Sequence, residues 1–283
     1  MFLPPMLPEK RENPFDDERY IFEPKIDGHR LLLSMEKGIV QLFTRHNNDI
    51  TRLYPELHYV PIEDNSDVVL DGEVACLDPD NGTVDFELVM DRFKLKKPMS
   101  IQEAVISHPV HFFVFDILRY KGEDLRERPL IERKMLLEQV LSANNSMSPL
   151  MSVESAGVSL FEAIQQKQLE GMVAKEKTSE YSGRRDRNWL TVINYTYAEV
   201  QIVGYRKNQF GWLLRHRNRT VGILELAVPS SHKKAFYGVS KGLVTGEDQN
   251  FVYVEPSIKA MVRSRNWTRE GMLRSPEFVD FVI

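Results

Sequence analysis

Residues 22–31 read Phe-Glu-Pro-Lys-Ile-Asp-Gly-His-Arg-Leu, which gathers Lys25, Asp27, Gly28 and Arg30 into one short block. Pro24 fixes the backbone ahead of the lysine, Gly28 permits a tight turn after it, and Arg30 can reach back across that turn to a ribose or a phosphate. A primary amine attacks the α-phosphorus of a nucleoside triphosphate only when uncharged, so a lysine held in such a setting is a candidate for covalent nucleotidylation. The bland alternative is a hairpin, because Asp-Gly shapes β-turns without any chemistry.

Two further blocks follow at expected strand ends. Val68 to Asp78 reads Val-Val-Leu-Asp-Gly-Glu-Val-Ala-Cys-Leu-Asp, placing Glu73 inside a sheet-forming run. A carboxylate there is costly to bury without a partner. A ribose hydroxyl, a metal ion or a cross-strand arginine would each satisfy it. Leu169 to Glu176 reads Leu-Glu-Gly-Met-Val-Ala-Lys-Glu, with Glu170 and Lys175 five positions apart around an apolar strand. That spacing can aim a carboxylate at a metal and an ammonium at a phosphate.

In this order the three blocks resemble motifs I, III and IV of the covalent nucleotidyltransferases, and most closely those of the small ATP-dependent DNA ligases; the resemblance covers nearly the whole chain. It implies that Lys25 carries AMP, Arg30 meets the ribose, Glu73 and Glu170 serve ribose and metal, and Lys175 contacts phosphate. Asp27 would orient the lysine loop or nearby hydroxyls, and Val173 would line the nucleotide site. Phe43 to Leu57 is similar to the ligase segment whose arginine meets the 5′-phosphate at a nick, here Arg45; His46-Asn47 replaces the usual Asn-Gly, and asparagine can still take the left-handed conformation. His111 to Leu125 resembles motif IIIa, with Phe115 as the ring that stacks on adenine. Glu23 matches the position that contacts the adenine amino group. The implied cofactors are ATP and Mg2+ (or Mn2+), and the implied partner is nicked double-stranded DNA, bound by a monomer.

Composition is compatible with this expectation. The 283 residues are 42% hydrophobic, enough for one large or two modest domains. The formal charge of −4 divides unevenly: Tyr197–Ile283 carries 13 Lys/Arg against 8 Asp/Glu, or +5, leaving −9 for residues 1–196. A basic C-terminal segment can supply phosphate contacts while an acidic N-terminal one carries metal-binding carboxylates. Cys76 is the lone cysteine, which argues against disulfides and cysteine metal sites and points to a reducing cytoplasm. No apolar run approaches the roughly 20 residues of a membrane span, and the N-terminus lacks a signal-peptide layout. No membrane association is expected.

Residues 20–90 alternate short β-like runs with Asp-Gly and Asn-Gly turn signals, whereas 127–142 and 159–168 have helical spacing. Arg128 to Val140, with Leu130, Ile131, Met135, Leu136 and Val140 on a helical period, reads as a packing helix. After Tyr197 short strands return at Val200–Tyr205, Trp212–His216, Val221–Ala227 and Phe251–Glu255, interrupted by a helix-like stretch at Ser231–Tyr237. That pattern fits an OB-type barrel. The expected fold is therefore α+β: a nucleotidyltransferase (ATP-grasp-like ligase) domain of antiparallel sheets and helices over residues 1–195, then an all-β OB-fold domain over 196–283. Arg215, Arg217 and Arg219 alternate at strand period, which would put them on one face as a DNA-backbone strip, or else on a solvated face or hairpin tip. Tyr253-Val-Glu255 and Gly271 to Phe278 resemble the C-terminal signature of bacterial ligase OB domains.

Two departures from the family pattern stand out. Motif V ordinarily ends in Trp-x-Lys-x-Lys, but Trp189-Leu-Thr-Val-Ile193 puts Thr191 and Ile193 where both lysines belong. The sequence also stops at Phe281-Val-Ile283 without the basic motif VI that orients pyrophosphate. Self-adenylylation is the step these departures touch. The expected function is an ATP-dependent DNA ligase; the alternatives are a weakened, ligase-like nick-binding protein and an RNA ligase or capping-type nucleotidyltransferase.

Overall fold

The run Leu31–Met35 is buried at every position, so the strand that follows the lysine block has protein on both faces. The computed structural model describes residues 1–78 and 82–282; Asn81 of the Asn-Gly turn signal and the terminal Ile283 lie outside them. Two compact units emerge, Met1–Asn194 and Tyr195–Ile283.

In the first unit the strands are β1 (Leu7–Lys10), β2 (Tyr20–Pro24), β3 (His29–Glu36), β4 (Ile39–Thr44), β5 (Val68–Leu77), β6 (Val84–Asp85), β7 (Val110–Tyr120), β8 (Glu123–Asp124), β9 (Met147–Pro149), β10 (Val153–Glu154), β11 (Gly171–Glu176) and β12 (Arg185–Ile193). Helices α1 (Phe86–Phe93), α2 (Pro98–Ser107), α3 (Leu130–Val140) and α4 (Gly157–Gln166) interleave with them. One sheet has the order β4-β3-β5-β7-β8, with β6 on β5 and β9 on β7; the other has the order β1-β12-β11-β2-β10. Both are mixed rather than antiparallel, since β9 runs parallel to β7 and β1 parallel to β12. This corrects the all-antiparallel expectation: each parallel partner comes from a segment distant in sequence, which a pattern of local hairpins cannot foretell.

Helices α1 and α2 were not anticipated. Asp85 caps α1 by accepting from Leu88 N at 3.0 Å, and Pro98 opens α2 at a position where no N–H is needed. Helix α3 forms where expected but turns a different face inward. It buries Leu130, Arg133, Lys134 and Leu137, while Met135 is 64% exposed. The cause is electrostatic: Arg133 forks onto the buried Asp116 at 2.8 and 2.9 Å, and Lys134 reaches Glu23, so charged pairs set the helix rotation. No described helix is long and apolar enough to cross a membrane.

The second unit comprises β13 (Thr196–Arg206), β14 (Trp212–His216), β15 (Arg219–Leu224), α5 (Ser230–Ser240), β16 (Val244–Glu247), β17 (Phe251–Ser264) and β18 (Glu277–Val282). Its order is β15-β14-β13-β17-β16, with β18 antiparallel on β17. A parallel bridge between Leu226 and Glu277, with Phe278 N donating to Leu226 O at 3.1 Å, brings the end of the β15 segment onto β18. The strands thus return on themselves around Trp212, Leu214, Phe236, Val262 and Phe278. The helix qualifies the all-β expectation for this unit.

Candidate active site

Lys25 leaves the end of β2 and is tied to β11 by its backbone, with Lys25 N donating to Gly171 O at 2.8 Å. Its Nζ lies 2.6 Å from Glu170 Oε2, which brings the lysine block and the Glu170 block into direct contact. Gly28 is required by close approach: a Cβ there would sit 2.1 Å from Val74 O on β5. Gly171 has φ 153°, and a side chain on it would strike Val192 O.

Register gives each sheet one face toward a shared cleft. On the first, Val173 pairs with Glu23 and with Thr191, and Lys175 with Trp189, so these five side chains project together. The opposite face of that sheet is apolar, with Phe22, Met172, Ala174 and Val192 packed on Phe161 and Ile164 of α4. On the second sheet Arg30 pairs with Glu73. Arg30 does not bond that cross-strand partner. It forks onto Asp71 at 2.6 and 2.5 Å, and Asp71 also accepts from Tyr181 Oη at 2.5 Å. Asp71 is fully buried, so its charge is held by these partners rather than by water.

Glu23 is 1% exposed and lies 2.7 Å from both Lys134 Nζ and Lys175 Nζ. Burial alone would raise its carboxyl, but the two ammoniums outweigh that and hold it below the usual range. Burial pulls Lys175 down to about 8, with Lys134 adding to the shift and Glu23 opposing it. The Lys175 ammonium also stands 3.9 Å from the Phe115 ring centre and 4.1 Å from Trp189, while Arg30 lies 4.4 Å from Phe115. The buried Trp189 Nε1 lacks a hydrogen-bond partner. An unpartnered indole N–H beside an aromatic ring suits a ligand that brings both a π-face and an acceptor atom.

The carboxylates fit a hard cation. Burial pushes Glu73 up to about 7, and the charges of Glu170 and Asp71 add to it against Lys25 and Arg30. Among the described residues no cluster of three or more His, Cys, Asp or Glu gathers at one point. A pair of crowded carboxylates completed by phosphate oxygens and water is the pattern by which magnesium is usually bound. Asp27 lies in the turn between Lys25 and Gly28 and is half-buried.

Arg45 is exposed in the turn after β4, with Asn47 at φ 62° as that turn requires. The arginines of the second unit need correction. Arg217 and Asn218 both have positive φ and form the tip of the β14–β15 hairpin, so the run is not one strand. Arg215 pairs with Thr220 and His216 with Arg219, which sends Arg215 and Arg219 to opposite faces. Arg215 bonds Gln201, while Arg217 and Arg219 are exposed.

Asp71, Tyr181, Lys134 and Trp189 belong to the site but were missed as functional groups. Asp71 had a signal, since Asp-Gly-Glu inside a strand supplies two carboxylates and only one had been given a partner. Lys134 had none, because its helical position matches a solvated one.

The family model described as ATP dependent DNA ligase domain matches residues 5–192. The SPbeta prophage-derived DNA ligase-like protein LigB of Bacillus subtilis (strain 168) is 37% identical over 280 residues, covering 98% of each chain. The multifunctional non-homologous end joining protein LigD of Mycobacterium bovis is 30% identical over 90% of this chain, which spans only 35% of that longer protein. A solved structure of mycobacterial DNA ligase D complexed with ATP and MES superposes with a TM-score of 0.61 at 25% identity, over 99% of this chain and 95% of that one. With its lysine block and carboxylates meeting in one cleft and these matches running almost from end to end, the chain belongs to the ATP-dependent DNA ligase family.

Proposed function

We propose that this enzyme seals nicks in duplex DNA through a lysyl-AMP intermediate on Lys25 and a DNA-adenylate. The observation that carries the proposal is the 2.6 Å approach of Lys25 Nζ to Glu170 Oε2, in a cleft that also gathers Glu73, Arg30 and Lys175. In the first step Lys25 Nζ bonds to the α-phosphorus of ATP as the bond to pyrophosphate breaks. The amine must shed a proton, and Glu170 is in place to accept it. AMP then passes to the 5′-phosphate of the nick, and the 3′-hydroxyl displaces it. Bound magnesium would neutralise phosphate charge, with Glu73 and Glu170 as its protein carboxylates.

Glu23, Val173, Phe115 and Lys175 form the nucleotide pocket in this reading, Arg30 the ribose contact and Arg45 the grip on the nick phosphate. Asp27 orients the lysine turn. The division of labour follows the two units: residues 1–195 adenylylate, and residues 196–283 form an OB-type DNA-binding domain. Support for the latter comes from the strand connections, in which β13, β14 and β15 lead through α5 to β17 and β18, and a parallel bridge from Leu226, just past β15, returns to Glu277 of β18.

The test is incubation with ATP or GTP labelled at the α-phosphate, followed by denaturing electrophoresis, and then by joining of nicked DNA and nicked RNA. Label transfer from ATP with sealing of DNA is expected. Label from GTP would favour capping-type chemistry, and nick binding without any adduct would favour a non-catalytic role; either outcome rejects the proposal.

A further inference from the structure

Thr191 and Ile193 stand where the family pattern calls for two ammonium groups, and the register places both on the cleft face. The neighbouring strand carries a cation at the same level. β1 runs parallel to β12 with Lys10 opposite Thr191, a register fixed by Arg11 N donating to Thr191 O at 2.9 Å. Paired residues on adjacent strands project to the same side, so Lys10, Thr191, Val173 and Glu23 form one row across four strands, facing the cleft. With strands about 4.8 Å apart, the Lys10 backbone is one step outside Thr191. A flexible four-carbon stem spans such a step.

Arg11 lies 4.0 Å from the Phe15 ring centre and bonds Asn13 O, and Arg185 bonds Pro8 O. The Lys10 side chain is 42% exposed and its ammonium sits 3.6 Å from Glu12, itself exposed. Exposed pairs at such separations hold weakly, and a polyanion arriving in the cleft can replace the carboxylate.

We infer that Lys10 supplies the triphosphate with the positive charge that Thr191 does not. The inference rests on the reading of the cleft as an ATP site. Lys10 forms no covalent bond in the reaction. As Lys25 Nζ bonds to the α-phosphorus and the electron pair of the breaking P–O bond leaves with pyrophosphate, Lys10 offsets charge on the phosphate oxygens. The row also orders the cleft, with Glu23 at the base end and Lys10 at the phosphate end.

The experiment compares the full chain with Lys10→Ala, Lys10→Gln, Thr191→Lys and the Lys10→Ala/Thr191→Lys pair. Equilibrium affinities are measured for α,β-methylene ATP, which cannot transfer AMP, and for adenosine, which has no phosphate; single-turnover lysyl-AMP formation is measured beside them. The expected result is about a tenfold loss of analogue affinity and of adenylylation rate in Lys10→Ala and Lys10→Gln. Adenosine binding should be unchanged. Thr191→Lys should restore both losses in the Lys10→Ala background and change them less in the wild type. Unaltered analogue affinity in the Lys10 variants overturns the inference, and so does a parallel loss of adenosine affinity, which would mean that Lys10 acts through the fold. A wild type that binds the analogue through Lys10 but forms no lysyl-AMP rejects the ligase reading alone; a wild type that does not bind the analogue rejects both.

Discussion

Arg30 and Asp71 form a two-pronged pair on adjacent strands, Nε and Nη2 meeting the carboxylate at 2.6 and 2.5 Å, with Tyr181 Oη closing on the same oxygen as Nη2. Arg30 also donates to Met6 O at 3.2 Å. One fully buried carboxylate therefore links β3, β5, the segment before β12 and the segment before β1. Replacing Asp71 with Asn leaves a guanidinium without its counter-charge and should cost about 3–5 kcal/mol, while Tyr181→Phe should cost about 1.5–3 kcal/mol. Urea unfolding of the two variants checks this; equal, negligible losses would show that the pair does not stabilise the fold.

The Lys25 assignment predicts an acid-labile, base-stable AMP adduct that Lys25→Ala abolishes. Glu170→Gln should leave the nucleophile in place but slow the adduct's formation by about 10²-fold or more, through loss of the proton acceptor. Labelled AMP persisting on Lys25→Ala would identify another nucleophile.

Glu73 predicts a pH dependence. Its folded value of about 7 lies above the ordinary carboxyl value of 4.5, so the neutral form prevails below about pH 7 and the carboxylate above it. Ligation of a cation needs the carboxylate. Metal-dependent adenylylation should rise with pH through this region, and excess magnesium should move the inflection lower. The sign for stability is opposite: a carboxyl raised on folding favours the fold at low pH, and that contribution fades from about pH 4.5 to about pH 7. Glu73→Gln should remove the inflection; a profile unchanged in that variant would place the titration elsewhere.

DNA affinity should depend steeply on salt. Arg217→Ala and Arg219→Ala should each flatten the log–log slope by about 0.9 if each guanidinium meets one phosphate. Arg215→Ala should do less, because its guanidinium lies on Gln201 across the hairpin. Arg45→Ala should weaken binding to nicks that carry a 5′-phosphate more than to nicks ending in a 5′-hydroxyl. Competition binding with the two substrates measures the difference.

Much of the site was readable in the linear chain because its motifs are local. Lys25 to Arg30 and Glu170 to Lys175 each lie within one turn or strand, so side-chain direction follows from spacing alone. The two compact units divide after Asn194, close to where strand-sized runs resume in the linear chain. What stayed hidden depends on pairing between distant segments. Lys134 looked solvated until Glu23, 111 positions away, came to meet it. The arginines at 215–219 misled in the opposite sense, because strict alternation suits a strand while Arg217 and Asn218 take the positive φ of a hairpin tip. Strand β18 left only a short run, and its place in the second unit comes from long-range pairing with β17.

The closing link between Leu226 and Glu277 has a bearing on solubility. A strand at the border of an open sheet offers unpaired amide and carbonyl groups to any passing chain, and β18 covers that border along β17 while bridging to Leu226 just beyond β15. Deleting Glu277–Val282 would uncover the β17 border and break the Leu226 bridge, together with the aromatic packing of Trp212 against Phe278 and Phe281. Light scattering of the shortened protein should report self-association, so the last six strand residues guard this unit against sticking to its own copies as well as completing its fold.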